Sequence, residues 1–142
     1  MREILYRGKT EAMSGAKYWF YGSLVTYPHK GGAEIYKEPI LDAVTGEHFT
    51  EVRTVDLDTV GQYTGFQDKN RVKIFEGDIV SFERVNALGY ITSRIGDVRR
   101  FDKLPIFYIM ATTGDAWDLC NCESATVIGN IYDNPELLEV EP

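Results

Sequence analysis

The stretch GQYTGFQDKNRVKIFEGDIV, Gly61–Val80, decides how this chain is read, because it sets two turn signals among short strand patterns. The first turn centres on Asp68, Lys69 and Asn70, where Asp and Asn side chains bond nearby backbone amides and Asn tolerates a left-handed backbone. The second is Glu76-Gly77-Asp78. Val72 and Ile74 alternate with Lys73 between them, and Val80 and Phe82 alternate with Ser81 and Glu83 beyond them. That is the period of a strand with one buried face. The unit reads strand, turn, strand, turn, strand. Gly61, Gly65, Asp68, Asn70, Gly77 and Asp78 are residue types that tight backbone geometry asks for, so they are assigned to structural turns.

Upstream, residues 2–9 alternate Ile4 and Tyr6 against Leu5 and Arg7, and KYWFYGSLV at 17–25 is an aromatic and β-branched run, so the two form a hairpin through Ser14-Gly15. Pro28, His29 and Gly31-Gly32 signal a loop, and Ile35-Tyr36 and Ile40-Leu41 are short extended pieces around Glu38-Pro39. Thr45-Gly46 turns the chain again, and His48 to Val55 fits neither period cleanly. Asp56 to Thr59 has the side chains to cap a single helical turn.

Downstream, Tyr90 to Ile95 reads as a strand that Gly96-Asp97 turns. Ile106 to Met110 is apolar on both faces and reads as a central strand, ended by Thr113-Gly114-Asp115. Ala125 to Tyr132 is the last strand. Asn134-Pro135-Glu136 starts a helix of one or two turns, since Asn caps and Pro suits the first helical position. Asp133, Glu136, Glu139 and Glu141 make this end acidic. No segment sustains a helical period, so the chain is expected to be mainly β.

A length of 142 residues suits one domain with a real core, and nine Tyr, seven Phe and two Trp argue against disorder. A net charge of −7 argues against broad attraction to nucleic acid or to an anionic membrane. No apolar run approaches the roughly 20 residues of a membrane span, and the start MREILYR is charged where a signal peptide is apolar, so the cytoplasm is the expected compartment. Cys120 and Cys122 are too close for an unstrained mutual disulfide and are expected as thiols.

Five lines of sequence resemble the YopX family, small proteins found mainly in phages and prophages. They are REILYRGKT at 2–10, YWFYGSL at 18–24, VDLDTVGQYTGFQDKN at 55–70, IFEGDIV at 74–80 and VIGNIYDNPELL at 127–138. The family usually has Gly after the DKN turn, where this chain has Arg71, and residues 83–124 match little. The resemblance implies a mainly β fold. It further implies that the C-terminal part is similar to an SH3-like small β-barrel with added N-terminal β-strands, to which the sequence reading adds a short C-terminal helical turn. That organisation is a single domain over 1–142, an N-terminal extension about 1–54 and a barrel-like core about 55–138. It implies a phage or prophage accessory protein in a bacterial host, with no established activity and no catalytic residues to carry over.

Candidate chemistry is sparse. Cys120 and Cys122 lack a second ligand pair for zinc, with His29 and His48 in distant segments, so no metal and no cofactor are expected. Asp56/Asp58 and Asp115/Asp118 serve turns and caps, and Ser23 or Ser81 with a histidine makes no nucleophile elbow. Tyr18, Trp19, Phe20 and Tyr21 alternate aromatic side chains onto both faces of one strand; one face is core, and the other is either covered by a neighbouring segment or an exposed apolar patch of the kind that marks an interface. The leading expectation is therefore a non-enzymatic module that binds a phage or host protein or forms a homo-oligomer. The alternative is a nucleic-acid-binding barrel using Arg94, Arg99, Arg100 and Lys103, flanked by Phe101, Phe107 and Tyr108 for base stacking.

Overall fold

The computed structural model describes residues 3–29, 31–104 and 106–139. Arg2, at the head of the first strand reading, and Glu141, in the acidic end, lie outside them. Twelve strands and two 3-10 turns make up the described secondary structure, so the chain is mainly β. It divides into two compact units, Met1–Tyr63 and Thr64–Pro142.

The first unit contains β1 (Tyr6–Glu11), β2 (Lys17–Tyr27), β3 (Gly32–Tyr36), β4 (Ile40–Leu41), β5 (His48–Phe49) and most of the long β6 (Val52–Gln67). The expected hairpin is β1 against β2, in register from Tyr6↔Gly22 to Glu11↔Lys17. Pairing continues from β2 to β3, from β3 to β6, and from β6 back to β1. Phe20, Ala33, Ile35 and Val55 form the core, with Leu24 and Val60 packed against it. β4 and β5 make a separate hairpin.

Asp56 to Thr59 is not helical. It lies in β6, where the register with β1 jumps from Lys9↔Asp56 to Arg7↔Gly61 and β6 bulges. The capping chemistry read from these residues is present but serves the bulge. Asp58 N–H donates to Asp56 Oδ1 at 3.1 Å, and Thr59 Oγ1 donates to Asp56 O at 2.7 Å while accepting from Lys9 N–H at 2.9 Å. Gly61 and Gly65, assigned to turns, likewise sit within β6, Gly61 opposite Arg7.

In the second unit Asp68 ends β6, and β7 (Lys73–Phe75), β8 (Asp78–Val85), β9 (Ile91–Arg100), β10 (Phe107–Ala111) and β11 (Ala116–Asp118) follow. A 3-10 turn at Leu119–Asn121 leads to β12 (Thr126–Asn130). The antiparallel order is β11-β10-β9-β8-β12, so the last strand returns to the first of this sheet. Registers Phe82↔Arg94, Ile109↔Val98, Ile109↔Trp117 and Val127↔Val80 put Val80, Phe82, Val98 and Ile109 on one face. With Ile74, Phe107 and Leu119 they form the core, and Trp117, Cys122 and Val127 pack at its margin.

Gly96-Asp97, expected as a turn, is the middle of β9. A Cβ on Gly96 would lie 2.5 Å from Met110 O and 2.6 Å from Ile109 Cγ2, so glycine is there for the close approach of β10. At the C-terminal end Pro135–Leu138 forms a 3-10 turn with Pro at its start. Asn134 does not cap it; its side-chain oxygen accepts from Asn130 N–H at 3.2 Å.

Both turns of the opening stretch are present, with one change of residue. Asn70 does not take the left-handed position; Arg71 does, at φ 64°. A non-glycine residue there costs about 1–2 kcal/mol, partly offset by the greater chain entropy that glycine loses on folding. Arg71→Gly should therefore stabilise the chain by about 0.5–1 kcal/mol in urea unfolding. An unchanged or lowered midpoint would show that the Arg71 side chain compensates for its backbone.

Candidate functional site

The second unit carries an open apolar groove of about 460 Å³, lined by Phe101, Leu104, Ile106, Tyr108, Met110, Ala116, Trp117 and Asp118. Strand parity explains it. In β10, Phe107, Ile109 and Ala111 point to the core, so Tyr108 and Met110 point the other way, beside Ala116 and Asp118 of the neighbouring β11. The loop from β9 to β10 adds Phe101, Leu104 and Ile106, each about half exposed, and Phe101 meets Tyr108 edge to face with ring centres 6.5 Å apart. The run at 106–110, apolar on both faces, reads from sequence as a central strand. Its strand is internal to the sheet, and its second apolar face forms this groove.

Trp117 is held from several sides. The Arg84 guanidinium lies 3.6 Å from the ring centre, Phe82 packs at 6.4 Å, and the indole N–H donates to Asp115 Oδ2 at 2.7 Å. Thr113 Oγ1 also donates to Asp115, and these bonds with the nearby Arg94 charge hold the Asp115 carboxyl below its usual range. Trp117 also borders a second depression of about 330 Å³, with Phe82, Glu83, Arg84, Val85, Asp118 and Cys122. Asp118 caps the following 3-10 turn by accepting Cys120 N–H at 3.1 Å. Hydrogen bonding to Asp118 pushes the Cys120 thiol up, and burial pushes Cys122 up, the direction away from a reactive thiolate.

The aromatic strand divides as alternation requires. Phe20 is in the first unit's core, with Lys37 Nζ 4.8 Å and the Arg53 guanidinium carbon 5.8 Å from its ring centre. On the opposite face Trp19 lies under Arg7 at 4.5 Å and Lys9 at 5.4 Å. Tyr18 and Tyr21 are 39% and 40% exposed, so the strand keeps aromatic surface at the solvent.

The four basic candidates do not share a face. Arg94 and Arg100 lie on the core-facing parity of β9, and Arg99 lies on the other. Arg94 has a buried Nε and donates through Nη1 to Ser93 O at 3.2 Å. Arg99 grips Asp97 through Nε at 2.7 Å and Nη2 at 3.3 Å, and Lys103 is an exposed loop residue. Among the described residues no group of three His, Cys, Asp or Glu is placed to hold a metal ion. No helix among them is long and apolar enough to cross a membrane.

Neither Trp117 nor the groove was singled out from sequence as a site. The available signal was Tyr108 and Met110, two large apolar residues on the wrong parity for the core.

Comparison with known proteins gives a fold neighbour and a family. The crystal structure of protein EF1440 from Enterococcus faecalis is similar, with a TM-score of 0.54 and 23% identity over 98% of this chain and 100% of that one, a likeness of fold. No curated protein matches the sequence. The family model described as YopX protein matches residues 15–139, most of the chain, and with it the chain belongs to the YopX family.

Proposed function

We propose that this protein is a non-enzymatic phage or prophage accessory module that works by binding protein, through the exposed aromatics of β2 and the surface built by residues 83–124. The observation that carries this reading is the exposure of Tyr21 on the face of β2 where Trp19 is fixed under two cations, with Tyr18 exposed on the other face. Rigid aromatics give large contact area for little lost side-chain entropy. We also read the second unit as an SH3-like small barrel. Four successive antiparallel strands, a 3-10 turn and a fifth strand returning to the first support that reading.

Sedimentation equilibrium tests the β2 surface. The expected result is a mass that rises with concentration, by self-association, and falls to that of a monomer in Tyr18→Ser with Tyr21→Ser while melting is unchanged. A wild-type chain that is monomeric at every concentration removes self-association through β2. A double variant that associates as the wild type does removes Tyr18 and Tyr21 from any interface.

A further inference from the structure

We propose that the groove of the second unit binds an extended segment of another protein that carries alternating apolar side chains and one arginine or lysine, with the cation placed at Asp118. The proposal rests on the protein-binding reading above and names the chemistry of the partner.

Shape selects a peptide over a small molecule. Small ligands are typically engulfed, with about 70–90% of their surface buried. Here Phe101, Leu104 and Ile106 are 48%, 52% and 44% exposed, so the walls form a trough that a compact ligand would not fill. An extended chain matches a trough, because alternate side chains point to the same side. The groove also runs beside β11, the terminal strand of its sheet, whose outer side pairs with no strand among the described residues.

Charge selects the basic residue. Among the described residues Asp118 is the one charged residue that lines the groove, and its carboxylate makes no ion pair. Two cations of this unit are already engaged: Arg99 is held by Asp97, and Arg84 lies on Trp117. The Tyr108 ring adds a favourable environment for an ammonium or guanidinium group. The overall charge of −7 steers a basic segment toward the chain and makes a second acidic copy the less complementary occupant. Trp117, already fixed by Arg84 and Asp115, loses little freedom on binding.

The test is fluorescence anisotropy of the full chain with a labelled short peptide in which leucine alternates with serine around one central arginine. Two control peptides replace the arginine with glutamate or every leucine with serine. The arginine–leucine peptide should bind, and each control should bind about tenfold or more weakly, the scale of one lost contact of about 1.4 kcal/mol. Asp118→Asn should remove the preference for arginine over glutamate. Met110→Glu, on the face away from the core, should weaken the parent peptide about tenfold with an unchanged melting temperature.

Failure of the wild type to bind the peptide, equal binding of the arginine and glutamate peptides, or undiminished binding by Met110→Glu would each overturn the proposal. So would tryptamine binding as tightly as the peptide, which would mark a small-molecule site, or a groove-dependent dimer lost in Met110→Glu, which would mark a second copy. Loss of peptide binding with association through Tyr18 and Tyr21 intact would remove the groove assignment alone, leaving the β2 interface standing.

Discussion

A Gly77→Val chain should lose about 3–5 kcal/mol of stability, a large share of the roughly 5–15 kcal/mol typical of a domain. Gly77 has φ 91°, a backbone that a β-branched residue adopts only under strain. A Cβ there would lie 3.2 Å from Tyr132 Cε2. The backbone has little room to relax, because Gly77 N–H donates to Val98 O and Gly77 O accepts from Ile131 N–H, both at 2.9 Å. Strain and crowding therefore add. Gly77→Ala, with the same φ problem and less bulk, should fall between it and the wild type. Denaturant unfolding of the three chains checks the order, and a Gly77→Val midpoint equal to that of the wild type would show that this turn is not a folding determinant.

Asp68→Ala should cost a similar amount for a different reason. The carboxylate, only 6% exposed, accepts three backbone N–H groups: Asn70 at 2.8 Å, Val72 at 2.9 Å and Val127 at 3.0 Å. The last of these ties the turn to β12. Removing the acceptor strands donors at about 1–3 kcal/mol each, so a total of about 3–5 kcal/mol is expected after partial rehydration. Asp68→Asn, which keeps one oxygen, should cost less.

The same contacts set a pH dependence. Burial favours the neutral acid, but the backbone bonds from Val127, Val72 and Asn70 outweigh it and hold the Asp68 carboxyl below its usual range. A depressed folded-state value means that the stabilisation is fully present above the ordinary Asp value of about 3.9 and is lost as pH falls through the lower folded value. Unfolding at a series of acid pH values should show the wild type losing stability more steeply than Asp68→Asn in that window. Parallel curves would mean that other carboxylates govern acid unfolding.

What was legible in the sequence was local. Asp68 was read as a turn residue from its ability to bond nearby amides, and it does so at Asn70 and Val72. Its bond to Val127, 59 residues away, depends on where β12 lies and has no local signature. The Gly-Asp pairs make the same point. Glu76-Gly77-Asp78 and Gly96-Asp97 look alike, yet the first is a turn with positive φ and the second is mid-strand, where glycine admits the Met110 backbone. Asp56 and Thr59 show that capping side chains serve a bulge as readily as a helix.

The candidate site was less legible still. Alternation in the aromatic strand located Phe20 on a face opposite Trp19, but it did not tell which face is core or that Arg7 and Lys9 lie over Trp19. The basic residues at 94–103 looked like one cluster in sequence, but the fold sets Arg94 and Arg100 on one parity of β9, Arg99 on the other and Lys103 in the loop beyond it. The groove depends on Phe101, Tyr108 and Trp117 meeting across a loop and two strands, with Arg84 on another strand fixing the ring.

By itself, then, the sequence determined the strand character of the chain, most of its turns and the family to which it belongs. Those properties come from side-chain alternation and from bonds a few residues long. Only the tertiary structure decided which apolar faces are covered, which charges are already paired and where an open groove remains. Each of those depends on neighbours that the fold brings together from distant positions, so no short stretch, Gly61–Val80 included, encodes them.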